Sequence, residues 1–211
     1  LIVFILFWYS SYLQYIPIIL FKLDVHHLSD TMRVVLSSFS SVMMVFILFF
    51  IYRMELKEEF RKFRRHFMKN MDIGVKYWLI GLLIMMVSNL ILTYILKSGG
   101  ANNENAVQSM IKVLPWLMVI NAGFLAPFNE EIVFRKTLKD IFKNKWVFAF
   151  LSFLLFGGAH VIGSASNIID FLYIIPYGAL GGAFALAYYE TDTVFPSMAM
   201  HMIHNTILSI L

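Results

Sequence analysis

The sequence predicts an all-α fold, a polytopic bundle of transmembrane helices that forms a single integral membrane domain over residues 1–211. Two observations lead to this class. Hydrophobic residues make up 60% of the chain and charged residues only 14%, whereas a soluble domain is about half apolar and a quarter charged. Apolar runs approaching the length that crosses a bilayer also recur along the chain. The composition argues against a soluble enzyme and a nucleic-acid-binding module, so no nucleic-acid partner is expected.

About seven membrane segments are predicted, each from an apolar run of nearly 20 residues. In order they are Leu1–Phe21, Val34–Tyr52, Tyr77–Leu96, a run that starts near Ile111, Trp146–Ile162, Ile168–Tyr189 and Val194–Leu211. The fifth and seventh segments are short. The chain contains no cysteine, which excludes disulfides and thiolate metal sites.

Basic residues predict the orientation. Most of the 17 Lys and Arg residues fall in two stretches, 53–76 and 135–145, which lie on the same side of the membrane if the segments alternate. Lys and Arg are enriched in cytoplasmic loops, so this side is expected to be cytoplasmic and the loop 98–108 external.

The basic stretch 54–74 is also amphipathic. Phe60, Phe63, Phe67 and Met71 recur at helical spacing between Lys and Arg residues. This pattern is typical of an interfacial helix on the inner leaflet. The alternative is a basic cytoplasmic loop that only fixes the topology.

A charged motif interrupts the fourth apolar run. Glu130, Glu131 and Arg135 follow Pro127. On a helix Glu131 and Arg135 are four residues apart and face each other, with the acid in the favourable N-terminal place. Glu130 points about 100° away and stays unpaired, which suits it to proton transfer. The alternative is a salt-bridge network near a helix end.

Two later segments also carry polar side chains. His160 lies deep in the fifth run with Phe156 one turn earlier, and His201 and Asn205 share one face of the last segment. Ionisable groups inside a membrane mark function by default, and an amide such as Asn205 can donate to a developing oxyanion. The alternatives are a packing histidine and a helix–helix hydrogen bond.

The three motifs lie at overlapping depths. With a rise of about 1.5 Å per residue, His160 lies about 24 Å from the basic turn near Asn144, and Glu130 about 21 Å back along the fourth helix. His201 and Asn205 lie about 14 and 20 Å in from the turn at Asp192. For unbroken helices the motifs therefore converge, and we expect the site to open to the cytoplasm.

The three motifs occur in the order Glu130-Glu131-xxx-Arg135, Phe156-xxx-His160 and His201-xxx-Asn205. They resemble the signature EExxxR, FxxxH and HxxxN of a family of intramembrane endopeptidases. This is the CAAX protease and bacteriocin-processing family, also called Abi. The resemblance covers residues 111–211, the expected catalytic core. It implies that Glu130 activates a water with the help of His160, and that His201 and Asn205 stabilise the oxyanion. It implies organising roles for the remaining motif residues, Glu131, Arg135 and Phe156.

Metal dependence is left open by the residues. Zinc catalysis needs three protein ligands and one open coordination position. In a metalloprotease the ligands could be His160, His201 and either Glu130 or His204. The other chemistry is a glutamate protease without a cofactor. We favour the second, because the chain has no HExxH motif and an amide oxygen such as that of Asn205 suits zinc poorly beside imidazole.

These observations lead to one expected function and two alternatives. The protein is expected to be an intramembrane endopeptidase of the bacterial plasma membrane that hydrolyses a peptide bond in a membrane-associated or lipidated peptide or protein, with the bilayer as its environment. The alternatives are a non-catalytic scaffold or immunity protein of the same fold, and a small transporter with a Glu/His relay. The small-residue face Gly178-xxx-Gly182 predicts tight helix packing, with a homodimer seam as a less favoured alternative.

Overall fold

The protein is all-helical over residues 2–96 and 101–210, which are the residues that the computed structural model describes. Its helices are α1 (Ile2–Trp8), α2 (Tyr15–Leu20), α3 (Asp30–Arg65), α4 (Phe67–Leu96), α5 (Asn102–Val113), α6 (Pro115–Ile141), α7 (Lys145–Val161), α8 (Ile174–Thr191) and α9 (Phe195–Ile210). Two 3₁₀ turns, Ser10–Gln14 and Ile168–Tyr173, precede α2 and α8. The predicted class, an all-α membrane bundle, is confirmed.

The predicted count of seven spanning segments is not confirmed. Within the described residues, α3, α4, α6 and the stretch Ile168–Thr191 are long and apolar enough to cross a membrane, and α1 with Ser10–Leu20 adds a fifth span if this pair, bent by 55°, counts as one. The two segments predicted to be short form α7 and α9, of 17 and 16 residues. The expected external loop 98–108 is helical from Asn102 onward, while its first residues, 98–100, lie outside the described residues.

The amphipathic stretch 54–74 is helical, but it is not one separate helix. It is divided between the end of α3 and the start of α4, which meet at His66. Part of its aromatic face packs within the chain, because the ring of Phe63 stacks on Phe195 with centroids 5.8 Å apart and Phe60 contacts the same ring edge-on at 5.2 Å. Phe60 and Phe67 are still 44% and 49% exposed, and the place of this stretch at the membrane surface stays a prediction.

Helix α6 is not regular. Residues Asn121–Leu125 and Ile132–Thr137 are π-helical turns. Pro127 explains the first, because proline lacks an N–H and its ring clashes with the carbonyl four residues earlier in a regular α-helix. The wider turn before Pro127 relieves that clash, and the helix continues through the motif that carries Glu130.

Close helix contacts hold α8 against α7 and α4. A Cβ atom on Gly178 or Gly181 would come within 2.8 or 2.9 Å of the carbonyl oxygens of Phe153 and Ser152 on α7. A Cβ on Gly81 of α4 would lie 2.8 Å from Ala183. The small-residue face of α8 is therefore used for packing within the chain, as predicted.

The two ends of the bundle have different chemistry. At the end where α3, α6 and α8 finish, which we call the basic end, Lys62 and Lys139 each lie 2.7 Å from Asp192, and Lys145 lies 3.1 Å from Glu190. At the opposite end, which we call the α5 end, neutral and acidic side chains meet. There the Asn102 amide donates to Ser164 O at 3.1 Å and to Asp170 at 3.2 Å.

Candidate active site

A cavity of about 530 Å³ lies among α4 to α9, and all three polar motifs reach it. The motif residues that line it are Glu130, Phe156, His160, His201 and Asn205. The structure therefore brings together every residue of the predicted catalytic set. The organising residues Glu131 and Arg135 lie behind the wall, both fully buried.

A chain of charged and polar groups forms the floor of the cavity. Arg135 Nη2 lies 3.2 Å from Glu131 Oε1, which confirms the predicted pairing across one helical turn. The same carboxylate oxygen lies 2.9 Å from His201 Nδ1, and His201 Nε2 lies 3.5 Å from Glu130 Oε2. Because a carboxylate only accepts, Nδ1 of His201 donates to Glu131, and this bond fixes the ring with Nε2 toward Glu130.

Phe156 is packed between the charged and imidazole groups. Its ring centroid lies 4.3 Å from the guanidinium carbon of Arg135, 4.4 Å from the ring of His160 and 5.6 Å from the ring of His201. A guanidinium over an aromatic face is a favourable cation–π contact. The side chain therefore fixes the relative positions of all three motifs.

His160 presents one ring nitrogen to the cavity. Its Nδ1 lies 2.9 Å from the Phe156 carbonyl oxygen, and a carbonyl only accepts, so Nδ1 carries the proton. The ring also stacks on Tyr177 of α8 at 4.6 Å with an interplanar angle of 25°. Nε2 is then the basic nitrogen of the neutral ring, available to a water or to a substrate.

Asn205 donates a hydrogen bond to a backbone carbonyl of α6 that has no N–H partner within the helix. In the first π turn the Ala126 N–H bonds to the Asn121 carbonyl, and the same register would pair the Ala122 carbonyl with Pro127, which has no N–H. Asn205 Nδ2 donates to this Ala122 oxygen at 3.0 Å. The helix–helix hydrogen bond considered for Asn205 is therefore made, and Asn205 also lines the cavity.

The candidate zinc ligands are not gathered into one group, and the choice between a zinc enzyme and a glutamate protease stays a prediction. No group of three His, Asp or Glu side chains in the described residues could hold a metal ion. Both nitrogens of His201 face carboxylates and one nitrogen of His160 faces a carbonyl. His204 is also buried at the cavity wall, yet it does not complete such a group.

The cavity leads toward the α5 end. Its outer lining includes Glu104 and Gln108 of α5 and Leu208 near the end of α9. Gln108 Nε2 donates to the Leu208 carbonyl at 3.3 Å and to Glu104 at 3.1 Å, so α5 is tied across the mouth. These lining residues lie at the end opposite the basic residues, and the expected cytoplasmic opening stays a prediction.

Several residues that line the cavity or contact its histidines were missed by the sequence analysis. Tyr177 and Phe184 of α8 contact His160 and His201 with ring centroids 4.6 and 5.2 Å apart, but both sit in an apolar run that gives no functional signal. Glu104 and Gln108 lie in what was expected to be an external loop. Their i,i+4 spacing in the sequence was the available signal that this stretch is a helix.

The fold and the site define an integral membrane protein with a carboxylate–histidine centre inside a helical bundle. Residues 112–207 match the family model described as type II CAAX prenyl endopeptidase, Rce1-like. This range contains all three motifs. The match confirms the resemblance of the carboxyl-terminal half to the CAAX protease and bacteriocin-processing family.

A curated relative supports the same family. The Bacillus subtilis (strain 168) protein named "Putative membrane peptidase YdiL" is 29% identical over 114 residues, which are 53% of this chain and 43% of that protein. The match thus spans less than half the length of this relative. No solved structure matches the chain significantly.

Proposed function

We propose that the protein is an intramembrane endopeptidase of the bacterial plasma membrane that cleaves a peptide bond in a membrane-associated or lipidated peptide or protein. The observation that carries the proposal is the floor of the cavity. Glu130 Oε2 is buried and makes no hydrogen bond to any described residue, while the neighbouring Glu131 is neutralised by Arg135 at 3.2 Å. A buried carboxylate oxygen normally has a partner, so Glu130 is well placed to accept a proton from water.

Glu130 and His160 act on the attacking water in this proposal. The water oxygen attacks the peptide carbonyl carbon and its proton passes to Glu130, with Nε2 of His160 accepting a second hydrogen bond from the same water. Glu130 then gives the proton to the amide nitrogen, and the C–N bond breaks to release a carboxylic acid and an amine. A positioned acid–base group of this kind contributes about 10²–10⁴-fold to rate.

His201 and Asn205 stabilise the oxyanion in this proposal. A protonated His201 held by Glu131 through Nδ1 can donate from Nε2, and the second amide proton of Asn205 adds an uncharged donor. Removing one such donor typically costs 10²–10³-fold in rate, or about 3–4 kcal/mol. The chemistry needs no metal, and the disposition of the two histidines favours this version over a zinc enzyme.

Paired peptidomics tests the proposal. Membranes from cells that carry the wild-type protein are compared with membranes that carry Glu130→Gln at matched expression. Glu58→Gln is the matched control, because Glu58 is exposed on α3 and does not line the cavity. We expect specific peptides to vanish with Glu130→Gln and to persist with Glu58→Gln.

Two results would contradict the proposal. If the peptide profiles of wild type and Glu130→Gln match while the biological effect of the protein persists, the protein acts as a scaffold or immunity factor. If Glu130→Gln instead abolishes a proton or substrate flux in liposomes, the buried carboxylate belongs to a transporter. In either case the endopeptidase assignment fails.

A further inference from the structure

We propose that His204 of α9 and Asn89 of α4 form a subsite that hydrogen-bonds the main chain of a bound substrate beside the bond that is cut. This subsite rests on the proposed function, because the cavity is taken as the place where a peptide chain binds. Three observations carry it. His204 is buried without a partner, both side chains line the cavity, and His204 follows His201 at a short distance along α9.

His204 is a buried histidine that the rest of the chain does not use. The residue is only 6% exposed, and it lines the cavity. It makes no hydrogen bond, ion pair or ring contact with any residue that the structure describes. Since a buried polar side chain normally has at least one hydrogen-bond partner, we expect the partner of His204 to come from the content of the cavity.

The other two histidines of the cavity are already bound to the protein. His201 Nδ1 lies 2.9 Å from Glu131 Oε1, and His160 Nδ1 lies 2.9 Å from the Phe156 carbonyl oxygen. A neutral imidazole has one N–H donor and one acceptor nitrogen. Each of these two rings therefore has at least one nitrogen in use, whereas His204 keeps both its donor and its acceptor for a ligand.

A peptide chain is the ligand that such a wall would serve. Main-chain N–H and C=O groups that leave water need hydrogen-bond partners. The cavity lies among helices, and the backbone groups inside a helix are bonded to one another. Side chains must therefore supply the partners for a bound chain. An imidazole and an amide each offer a donor and an acceptor, which matches a main chain that presents both.

Asn89 is the second group of this kind. It is partly buried on α4, lines the same cavity and makes no hydrogen bond with any described residue. Gln108 of α5 differs, because its amide already donates to Glu104 and to the Leu208 carbonyl. The subsite therefore has one free polar group on α4 and one on α9.

The spacing along α9 places the subsite close to the bond that is cut. His204 is three residues after His201, or about 4.5 Å farther along the helix. In the proposed chemistry His201 stabilises the oxygen of the attacked carbonyl. Residues of an extended chain are about 3.3 Å apart, so a chain that runs along α9 reaches His204 roughly one or two residues from that carbonyl. The contact therefore fixes which bond lies over Glu130.

Photocrosslinking tests the subsite without catalysis. Photoreactive benzoylphenylalanine replaces Leu208, which lines the cavity one turn beyond His204, in full-length protein that carries Glu130→Gln so that bound chains stay uncut. Membranes are irradiated and the captured chains are quantified by mass spectrometry. His204→Phe keeps a ring and removes both nitrogens, whereas His204→Gln keeps a donor and an acceptor. Ile203→Phe is the matched control, because Ile203 is exposed on the same helix and does not line the cavity.

We expect capture to fall about three- to tenfold with His204→Phe, as for the loss of one hydrogen bond, and to return with His204→Gln. Ile203→Phe should leave capture unchanged. Equal capture with histidine and phenylalanine at this position would show that water alone satisfies His204, and would overturn the proposal. So would the absence of any captured chain. If His204→Phe does not fold, Asn89→Leu, which preserves side-chain size, makes the same test from α4.

Synthetic peptides that span a bond cut in a Glu130-dependent manner test the contact with the main chain. Each amide beside that bond is replaced in turn by an ester, which removes the N–H and weakens the carbonyl as an acceptor. We expect His204→Phe to raise KM about three- to tenfold with little change in kcat, because the contact is present before and during the reaction. One ester should abolish this difference.

Two results of the peptide series would contradict the proposal. A difference in KM that persists with every ester would show that His204 contacts a side chain of the substrate. Loss of bound zinc together with activity in His204→Phe would make His204 a metal ligand.

The capture measurement does not depend on cleavage, so the two proposals can fail separately. Capture that depends on His204, without any Glu130-dependent peptide, keeps a chain-binding subsite and removes the endopeptidase assignment. Glu130-dependent peptides, with capture and KM that do not depend on His204, keep the enzyme and remove the subsite.

Discussion

Two adjacent glycines of α7 are expected to respond in opposite ways to the same substitution. A Cβ on Gly157 would lie 2.6 Å from the Ile174 carbonyl oxygen and 3.1 Å from the Gly178 nitrogen, both backbone atoms of α8. A Cβ on Gly158 would meet nothing closer than the Ile162 Cδ1 atom at 3.5 Å, an ordinary contact. Gly157→Ala therefore requires α7 and α8 to move apart, whereas Gly158→Ala requires no movement.

The difference between the two variants isolates the packing cost. Each change gains a similar helix propensity, up to about 1 kcal/mol, so this contribution cancels in the comparison. Overpacking a tight contact costs about 1–3 kcal/mol, and Gly157→Ala should be less stable than Gly158→Ala by this amount. The separation also acts on the site, because His160 of α7 stacks on Tyr177 of α8 at 4.6 Å.

Equilibrium unfolding in mixed micelles measures this difference, with Gly158→Ala as the matched control and wild type as the reference. We expect Gly158→Ala to unfold at or above the wild-type midpoint and Gly157→Ala below it. The yield of Glu130-dependent peptides should fall only with Gly157→Ala. Equal midpoints for the two variants would refute the reasoning, since they would show that α7 and α8 do not approach at Gly157.

Three further outcomes are expected. Glu59→Ala removes the acceptor of two buried donors and should lower the free energy of unfolding by about 1–3 kcal/mol for each of them, measured in the same micelles; an unchanged midpoint would show that the cluster is dispensable. Burial opposes ionisation of Asp192, but hydrogen bonds from Lys139 and Lys62 hold its pKa below the usual 3.8. The stability that Asp192 contributes is therefore complete above about pH 4 and is lost as the pH falls through the lowered pKa. The difference in stability between wild type and Asp192→Asn should disappear only in that acidic range. A difference that does not depend on pH would exclude the ion pair as its cause. Purified protein should contain no stoichiometric zinc and keep its activity in 1,10-phenanthroline, and activity that tracks bound zinc would contradict the glutamate mechanism.

Local rules predicted the parts of the site that depend on neighbours along one helix. The spacing of Glu131 and Arg135 predicts their pairing, and the two groups lie 3.2 Å apart. The same spacing places Phe156 beside His160, where the two rings lie 4.4 Å apart. These contacts follow from helix geometry alone, so a single sequence suffices for them.

The same local rules do not predict contacts between different helices. The sequence presents Gly157 and Gly158 as equivalent, and only the packed neighbour shows that the first faces α8 and the second does not. The bond from Asn205 to Ala122 likewise requires the π turn before Pro127, which frees a carbonyl that regular helix geometry would have satisfied. Proline signals a disturbed helix, but it does not indicate which distant side chain compensates.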